Sequence, residues 1–406
     1  MKREPVATVM KAMIIGASGE AFHTIEKAHE MGLSVTALDG NPKAEGLQAA
    51  DKGLVVDISD EKAVIEAVQR EGADFVLTVP IGRYLTTIGA VNDALGLPGI
   101  SRRMAVLCTD KYRFHQKLQE QDLRRSHCFA VGGADGFDPD VLAEKVAEDR
   151  MPFIYPAILK PRFGSGSRGI QMLENEEELA AQMRILKGTQ EEYVLEECMA
   201  GEEYGVDGAV IGGRFHMVLL RKKENTPPPA RQAVGYVSVL PEAPFWQQAW
   251  EYMRKVVDCL GLGECLLHAD LIRSAQGPFV IEMSARPSGH NLHNLFTPLC
   301  TGIDMAEEYI KYRMGQAWNF TPAVTRQAMI HYFDLQGAVM DVPTQEQVRQ
   351  SEPSLIGWEC HIRAGEELMP VSDGHSLMGR GYFILEGEEG ELQDKVRRVK
   401  ALFRLA

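Results

Sequence analysis

Ile158-Leu159-Lys160-Pro161-Arg162-Phe163-Gly164-Ser165-Gly166-Ser167-Arg168-Gly169-Ile170 runs a short apolar strand into a lysine and then into a loop with three glycines. Glycines let successive backbone N–H groups turn toward one point and form an anion-binding nest. Lys160 sets a point charge at the edge of that nest. The lysine precedes the glycines, so the order differs from that of a P-loop. Taken alone, the stretch reads equally as a polar hairpin turn, and the rest of the chain has to decide.

Upstream, residues 11–110 alternate strands and helices. Strands are expected at 12–15, 35–38, 54–56 and 75–79, and helices at 21–31 and 61–71. This spacing predicts a parallel sheet with helices on both faces. The turn Gly16-Ala17-Ser18-Gly19 lacks the full G-x-G-x-x-G pattern. A Rossmann-like unit is therefore expected, rather than a dinucleotide site with Asp39 on a ribose. Thr109-Asp110-Lys111 opens a helix that runs to about residue 121. Downstream, helices are expected at 176–186 and 247–260 and a strand at 193–195. Residues 205–211 and 215–220 read as a hairpin turned by Gly212-Gly213. The three prolines within 225–231 read as an irregular loop. The last 90 residues, from Asn319, read as a small appended unit ending in a helix over 392–403.

A second hairpin, 268–273 with 279–283, puts Asp270 and Glu282 on partner strands in an apolar context. Carboxylates in apolar strands are costly to bury unless a cation meets them. An oxygen-rich pair of this kind suits Mg2+, with Mn2+ as an alternative. Glu196-Glu197-Cys198-Met199 ends one strand and Glu203 begins the next. That is the layout of an adenine hinge followed by a ribose acceptor, and equally that of a charged turn.

The ordered set Lys111, Lys160-Pro-x-x-Gly-Ser-Gly-Ser-Arg-Gly, Glu196-Glu-x-Met199, Gly-x-Glu203, Asp270 and Glu282-x-Ser-x-Arg286 resembles the ATP-grasp superfamily. Gly96-Leu97-Pro98-Gly99-Ile100 and the strands before it are similar to the pre-ATP-grasp unit. The resemblance implies an α/β chain in three parts. These are a Rossmann-like pre-ATP-grasp domain (1–110), a two-lobed ATP-grasp α+β domain (111–318) and a small C-terminal α+β domain (319–406). It implies ATP and Mg2+ as cofactors. Lys111 and Lys160 would meet the α- and β-phosphates. Gly164, Ser165, Gly166, Ser167, Arg168 and Gly169 would cover the outer phosphates. Glu196, Glu197 and Met199 would hold adenine and Glu203 the ribose. Asp270, Glu282 and Ser284 would carry metal, and Arg286, with Lys160, would act in catalysis. Ser284 stands where the family usually has Asn, a longer and stronger oxygen ligand. Substrate contacts fall to Lys223 and Arg231 beside the proline loop, His268, and Ser288 and His290 after Arg286; Arg380 would be a lid contact. The chain looks nearest to amino-acid ligases and carbamoyl-phosphate-synthetase-like ligases. That implies phosphorylation of a carboxylate followed by attack of an amine. The alternatives are a bicarbonate-phosphorylating, carboxylase-type enzyme and a nucleotide-binding scaffold without turnover.

Bulk properties bound the partners. With 406 residues and 45% apolar side chains, the chain has room for two or three cores. A net charge of −14 argues against nucleic acid or an anionic membrane as partner. An anionic ligand would need a local basic cluster, for which Lys160, Arg162, Arg168, Arg221, Lys222 and Lys223 are available. The seven cysteines form no C-x-x-C pair and read as reduced thiols of the cytoplasm. Residues 1–10 lack an apolar core of signal-peptide length and read as a tail, or as sequence before a start at Met10 or Met13. The expected partners are a small carboxylate and an amine, with a homodimer as the default oligomer.

Overall fold

Four short apolar segments, β1 (Lys11–Ile15), β2 (Ser34–Asp39), β3 (Lys52–Val55) and β4 (Phe75–Leu77), pair in parallel in the order β3-β2-β1-β4. The computed structural model describes residues 9–134, 136–147, 154–164, 169–227, 232–371 and 374–406. The alternation expected for the first unit is present, with the third strand two residues early. Asp60 caps the helix Glu61–Glu71 by accepting from the Ala63 N–H at 3.0 Å. Asp39 accepts from the backbone of Ala17 (2.7 Å) and Asn41 (2.8 Å), so its carboxylate ties the turn after β1.

A second sheet, β5 (Cys128–Val131), β6 (Ala157–Pro161), β7 (Gln171–Leu173) and β8 (Tyr193–Glu197), has the order β5-β8-β6-β7. The largest sheet begins with β9 (Glu202–Ile211), β10 (Arg214–Asn225), β11 (Ala233–Val239), β12 (Cys265–Ser274) and β13 (Gly277–Ser284). The chain continues through β14 (Ala328–Tyr332), β15 (Gly337–Asp341), β16 (Leu355–Cys360), β17 (Glu367–Leu368), β18 (Gly381–Glu386) and β19 (Arg404–Leu405). Eight of these strands form one antiparallel sheet, β13-β12-β9-β10-β11-β14-β18-β16, while β17-β15-β19 make a small separate one.

Two local expectations change. The strand before the proline stretch is longer than expected: β10 runs to Asn225 and pairs with β11, and the Thr226 N–H donates to the Gln232 carbonyl at 2.8 Å, while residues 228–231 lie outside the described residues. The last helix is Glu389–Lys400, three residues early, because Glu389 and Glu391 suit a helix N-terminus. More consequentially, the strands after 319 do not stand apart. β14 pairs with β11, so the main sheet crosses the proposed boundary between 111–318 and 319–406.

The first unit and the large sheet also share a core. One apolar cluster runs from Val64, Ile88 and Ile100 to Val206, Met253 and Val280. Among the described residues, no helix is long and apolar enough to cross a membrane. In the last third, Phe333 is fully buried and its ring lies 5.2–5.3 Å from those of Trp358, Phe383 and Phe403. Phe333→Ala is expected to cost about 3–5 kcal/mol. Because the sheet is continuous, the loss should appear in denaturant melts as one earlier transition. A separate early transition confined to part of the signal would show instead that residues 319–406 unfold independently.

Candidate functional site

Strand pairing in the large sheet sets charged side chains in one row. Across β12 and β13, Asp270 lies opposite Glu282 and His268 opposite Ser284. Across β9, His268 meets Asp207, Asp270 meets Gly205 and Ile272 meets Glu203. Across β10, Gly205 meets Arg221. Partners directly opposite share a face and alternate residues repeat it, so Glu282, Asp270, His268, Asp207, Glu203, Arg221 and Lys223 occupy one side. A β-bulge follows the Asp270–Glu282 pair, a common device for aiming side chains at a site.

The centre of the row is a pair the sequence did not single out. Asp207 and Arg221 are both 0% exposed, joined by two hydrogen bonds of 2.7 and 2.8 Å. Thr297 donates to Asp207 at 3.0 Å. A Cβ on Gly205 would sit 2.4 Å from Arg221 Nη1, so the guanidinium lies where only glycine leaves room. Beside this pair, Lys223 Nζ is 2.5 Å from Asp270 Oδ2. Burial alone would raise the Asp270 carboxyl, but Lys223 and its neighbours hold it below the usual carboxylate range. The other oxygen, Asp270 Oδ1, is buried and has no hydrogen-bond partner among the described residues. His268 is pushed down to about 4, chiefly by burial, so at neutral pH it carries no charge. Glu203 is half-buried, and its charge reaches Lys223.

A cleft opens beside His268 and Glu282 of this row. It is lined by residues 81–83, 107–111 and Gly164 together with His268, Glu282, Ser284 and Arg286. The structure thus brings Lys111, Gly164, His268, Glu282, Ser284 and Arg286 together. Lys111 Nζ donates to the Gly164 carbonyl at 2.8 Å and lies 4.0 Å from Glu282. Arg286 donates through Nη1 to the Pro287 carbonyl at 2.8 Å, while its buried Nε has no acceptor. Ser288 is buried behind it. The His290 N–H donates to Glu20 of the first unit at 2.9 Å, a contact across 270 positions of chain.

The second sheet treats its glutamates differently from expectation. Glu196 is 3% exposed and is met by Lys160, by Arg124 at 3.0 Å and by His115 at 2.5 Å. Its carboxylate is enclosed by cations rather than presented to a base. Glu197 likewise accepts from the His127 N–H (3.0 Å), lies 2.8 Å from His127 Nδ1 and accepts from the Ile154 N–H (3.2 Å). Met199 is half-buried beside them. His115, Cys128 and Glu196 lie close enough to share an ion, but Arg124 and Lys160 already supply the positive charge there.

Part of the expected basic cluster is spent internally. Arg162 pairs with Asp110 (2.7 Å) and Glu192 (2.8 Å), and Lys222 with Glu202 (2.6 Å) and Glu389 (3.1 Å). Arg380, expected as a lid contact, donates to the carbonyls of Leu335 (2.9 Å) and Met369 (2.6 Å) and is structural. Ser165, Gly166, Ser167, Arg168 and Arg231 lie outside the described residues; Gly169, at the loop's end, is described and exposed.

Residues 153–293 match the ATP-grasp domain model. That stretch of the chain is similar to an ATP-grasp domain. An uncharacterized protein of Sinorhizobium fredii is 25% identical over 320 residues, 75% of this chain and 63% of that one. A formate-dependent phosphoribosylglycinamide formyltransferase of a Janthinobacterium strain is 24% identical over 193 residues, 43% of this chain and 41% of the relative. The chain thus matches less than two thirds of the length of these curated relatives. The crystal structure of an L-amino acid ligase from Bacillus licheniformis superposes with a TM-score of 0.76 over 98% of this chain and 99% of that one. At 19% identity, that likeness is one of fold. ATP-grasp enzymes use ATP and Mg2+. The oxygen donors of Asp270, Glu282 and Ser284, with one carboxylate oxygen unpaired, fit such an ion.

Glu196 gives a direct test of the buried charges. Burial would raise its carboxyl, but Lys160, His115 and Arg124 hold it well below the ordinary 4.5. A depressed folded value means that the stabilisation is complete above the unfolded value and is lost as pH falls below it. Glu196→Gln strands two buried cations and should cost about 3–5 kcal/mol at neutral pH. It should also flatten the acid side of a plot of Tm against pH. Parallel acid limbs for the two proteins would show that Glu196 is not ionised in the fold.

Proposed function

We propose that this chain is an ATP-dependent ligase that joins a small carboxylic acid to an amine, with release of ADP and phosphate. The observation that carries the reading is the Asp270–Glu282 pair. It lies on neighbouring paired strands, has one carboxylate oxygen with no hydrogen bond among the described residues, and its Glu282 lines the cleft with Lys111 and Arg286. Phosphoryl transfer asks a protein mainly for positioning and charge neutralisation. Lys111 and Lys160 would hold the phosphates of ATP, with Gly164 to Gly169 over them. Asp270, Glu282 and Ser284 would hold Mg2+, which supplies Lewis-acid neutralisation of phosphate charge when bound. With Glu196 and Glu197 engaged by cations and backbone, the adenine edge would be read by main-chain groups near Met199, and the ribose by Glu203.

In this reading the substrate carboxylate attacks the γ-phosphorus, the bond to ADP breaks, and the acyl phosphate forms against Arg286. An amine then attacks the acyl carbon and expels phosphate, giving an amide. Lys223 would hold Asp270 ionised, and His268, neutral at pH 7, would fill the space beside it. Ser288 and His290 shape the loop behind Arg286. Similarity to a formate-dependent formyltransferase and, in fold, to an amino acid ligase supports a carboxylic acid as the activated partner. The same proposal takes 1–110, 111–318 and 319–406 as working units in the cytoplasm.

The test is phosphate release from Mg-ATP across amino acids, small carboxylates, bicarbonate and amines, singly and in pairs. Release that requires one acid–amine pair is expected. Dependence on bicarbonate would move the reading to a carboxylase-type enzyme, and silence with ATP still bound would leave a scaffold. With the active pair in hand, Glu282→Gln should lower turnover by about 100-fold or more. Ser284→Ala should raise the Mg2+ concentration needed for half-maximal rate; an unchanged Mg2+ titration would remove Ser284 from the metal site.

A further inference from the structure

Arg83 lines the same cleft as Glu282 and Arg286 and takes no part in the site so far assigned. It follows β4, which lies next to β1 in the parallel sheet. The loops leaving the carboxyl ends of these two strands frame the crevice where open α/β sheets take ligands. The platform under Arg83 is tightly built. A Cβ on Gly16 would meet Ile81 Cδ1 at 2.8 Å, and one on Gly289 would meet Pro80 Cβ at 3.6 Å and Glu20 Oε1 at 3.1 Å. The Glu20–His290 hydrogen bond pins the same loops together.

Arg83 differs from the other cations around the cleft. Lys111 is tied to the Gly164 carbonyl, Lys223 to Asp270 and Arg286 to the Pro287 carbonyl. Arg83 is exposed, lies over the ring of Tyr84 at 5.4 Å, and forms no ion pair among the described residues. In a chain with 57 acidic residues, an arginine kept clear of carboxylates on a cleft wall is available to an anion from outside. Its planar fork fits a carboxylate or phosphate through two parallel hydrogen bonds.

We propose that Arg83 binds a second anionic group of the substrate, a carboxylate or a phosphate, at the end remote from the carboxylate that is activated. This deepens the ligase reading and rests on it: the activated acid would be a dicarboxylate, an amino acid held by its far carboxylate, or a phosphorylated acid. Arg83 would select the substrate from the first unit, while Arg286 and the metal carboxylates act on the reacting end.

The experiment measures calorimetric binding of glutarate, inorganic phosphate and acetate to the full chain without nucleotide. It compares the natural protein with Arg83→Ala and Arg83→Lys, after circular dichroism and melting confirm that the variants are folded. Glutarate or phosphate should bind the natural protein, and Arg83→Ala should weaken the one that binds at this site by about 10- to 100-fold. Arg83→Lys should restore part of the affinity, and any binding of acetate should change little. Which of glutarate and phosphate is affected identifies the anion. Equal affinities in the natural protein and Arg83→Ala, or no binding of any probe to the natural protein, would overturn the inference. Because turnover is not needed, the two readings separate. Arg83-dependent binding without phosphate release from any acid–amine pair would sink the ligase reading alone. Turnover with an unchanged KM for the acid in Arg83→Ala would sink the role of Arg83 alone.

Discussion

The ion pair between Asp207 and Arg221 is the constraint around which the large sheet is arranged. Both side chains are fully buried, and neither charge could be left there alone without a penalty of several kcal/mol. β9 hydrogen-bonds to β10 on one side and to β12 on the other, so pairing Asp207 with Arg221 fixes the register of three strands. The opposite face of β9 adds a second lock. Tyr204 and Val206 point away from the charged row into the apolar cluster with Phe245, Ala249 and Met253 of the helix Pro244–Leu260. A slip of one residue would exchange the faces, sending charge into that cluster and apolar groups into the cleft. Gly205 belongs to the same constraint, because any side chain there would occupy the space of the guanidinium.

With the register fixed, the rest of the row follows from charge balance. Lys223 meets Asp270, and His268 beside it is neutral at ordinary pH. Glu282 is the more open carboxylate, with Lys111 at 4.0 Å. The row is left with an acceptor, Asp270 Oδ1, that has no hydrogen bond among the described residues, with His268 Nε2 3.6 Å away. Buried polar atoms are rarely unpaired in folded proteins, so this oxygen, with the Glu282 carboxylate on the facing strand, would suit a cation.

What the sequence disclosed and what it hid divide by distance along the chain. The hairpin carrying Asp270 and Glu282 was legible because its partners are twelve residues apart and its apolar pattern has the strand period. The first four strands and the helix Glu176–Leu186 were legible for the same local reason. The role of Glu196 was not. Its position at a strand end suggested an exposed hinge, but Arg124, from 72 residues earlier, and His115, from the helix Lys111–Gln119, close around it. Nothing in a local window reports such partners. β11 was missed because Ala233, Gly235 and Ser238 weaken its strand pattern, and without it the strands past 319 looked detached. Asp207 was the nearest to a readable miss. An acid inside Val-Asp-Gly-Ala-Val, with an arginine one residue past the facing strand of the expected hairpin, is a signal for a buried pair.

The division of labour in the cleft can be argued from where each group is mounted. The carboxylates that would meet the metal sit in mid-strand, held by neighbours on both sides, where positions are reproducible to a fraction of an ångström. Arg83 and Glu20 sit on loops at the carboxyl edge of the first sheet, where sequence can change without disturbing a strand ladder. A reaction that depends on charge placed at fixed points needs the first kind of support. Recognition of one acid among many needs the second. The contact between Glu20 and the His290 backbone joins the two kinds directly. It ties the loop after Arg286 to the platform of Arg83, so under the proposed ligase reading the reacting end and the far end of a bound acid would be measured against linked supports.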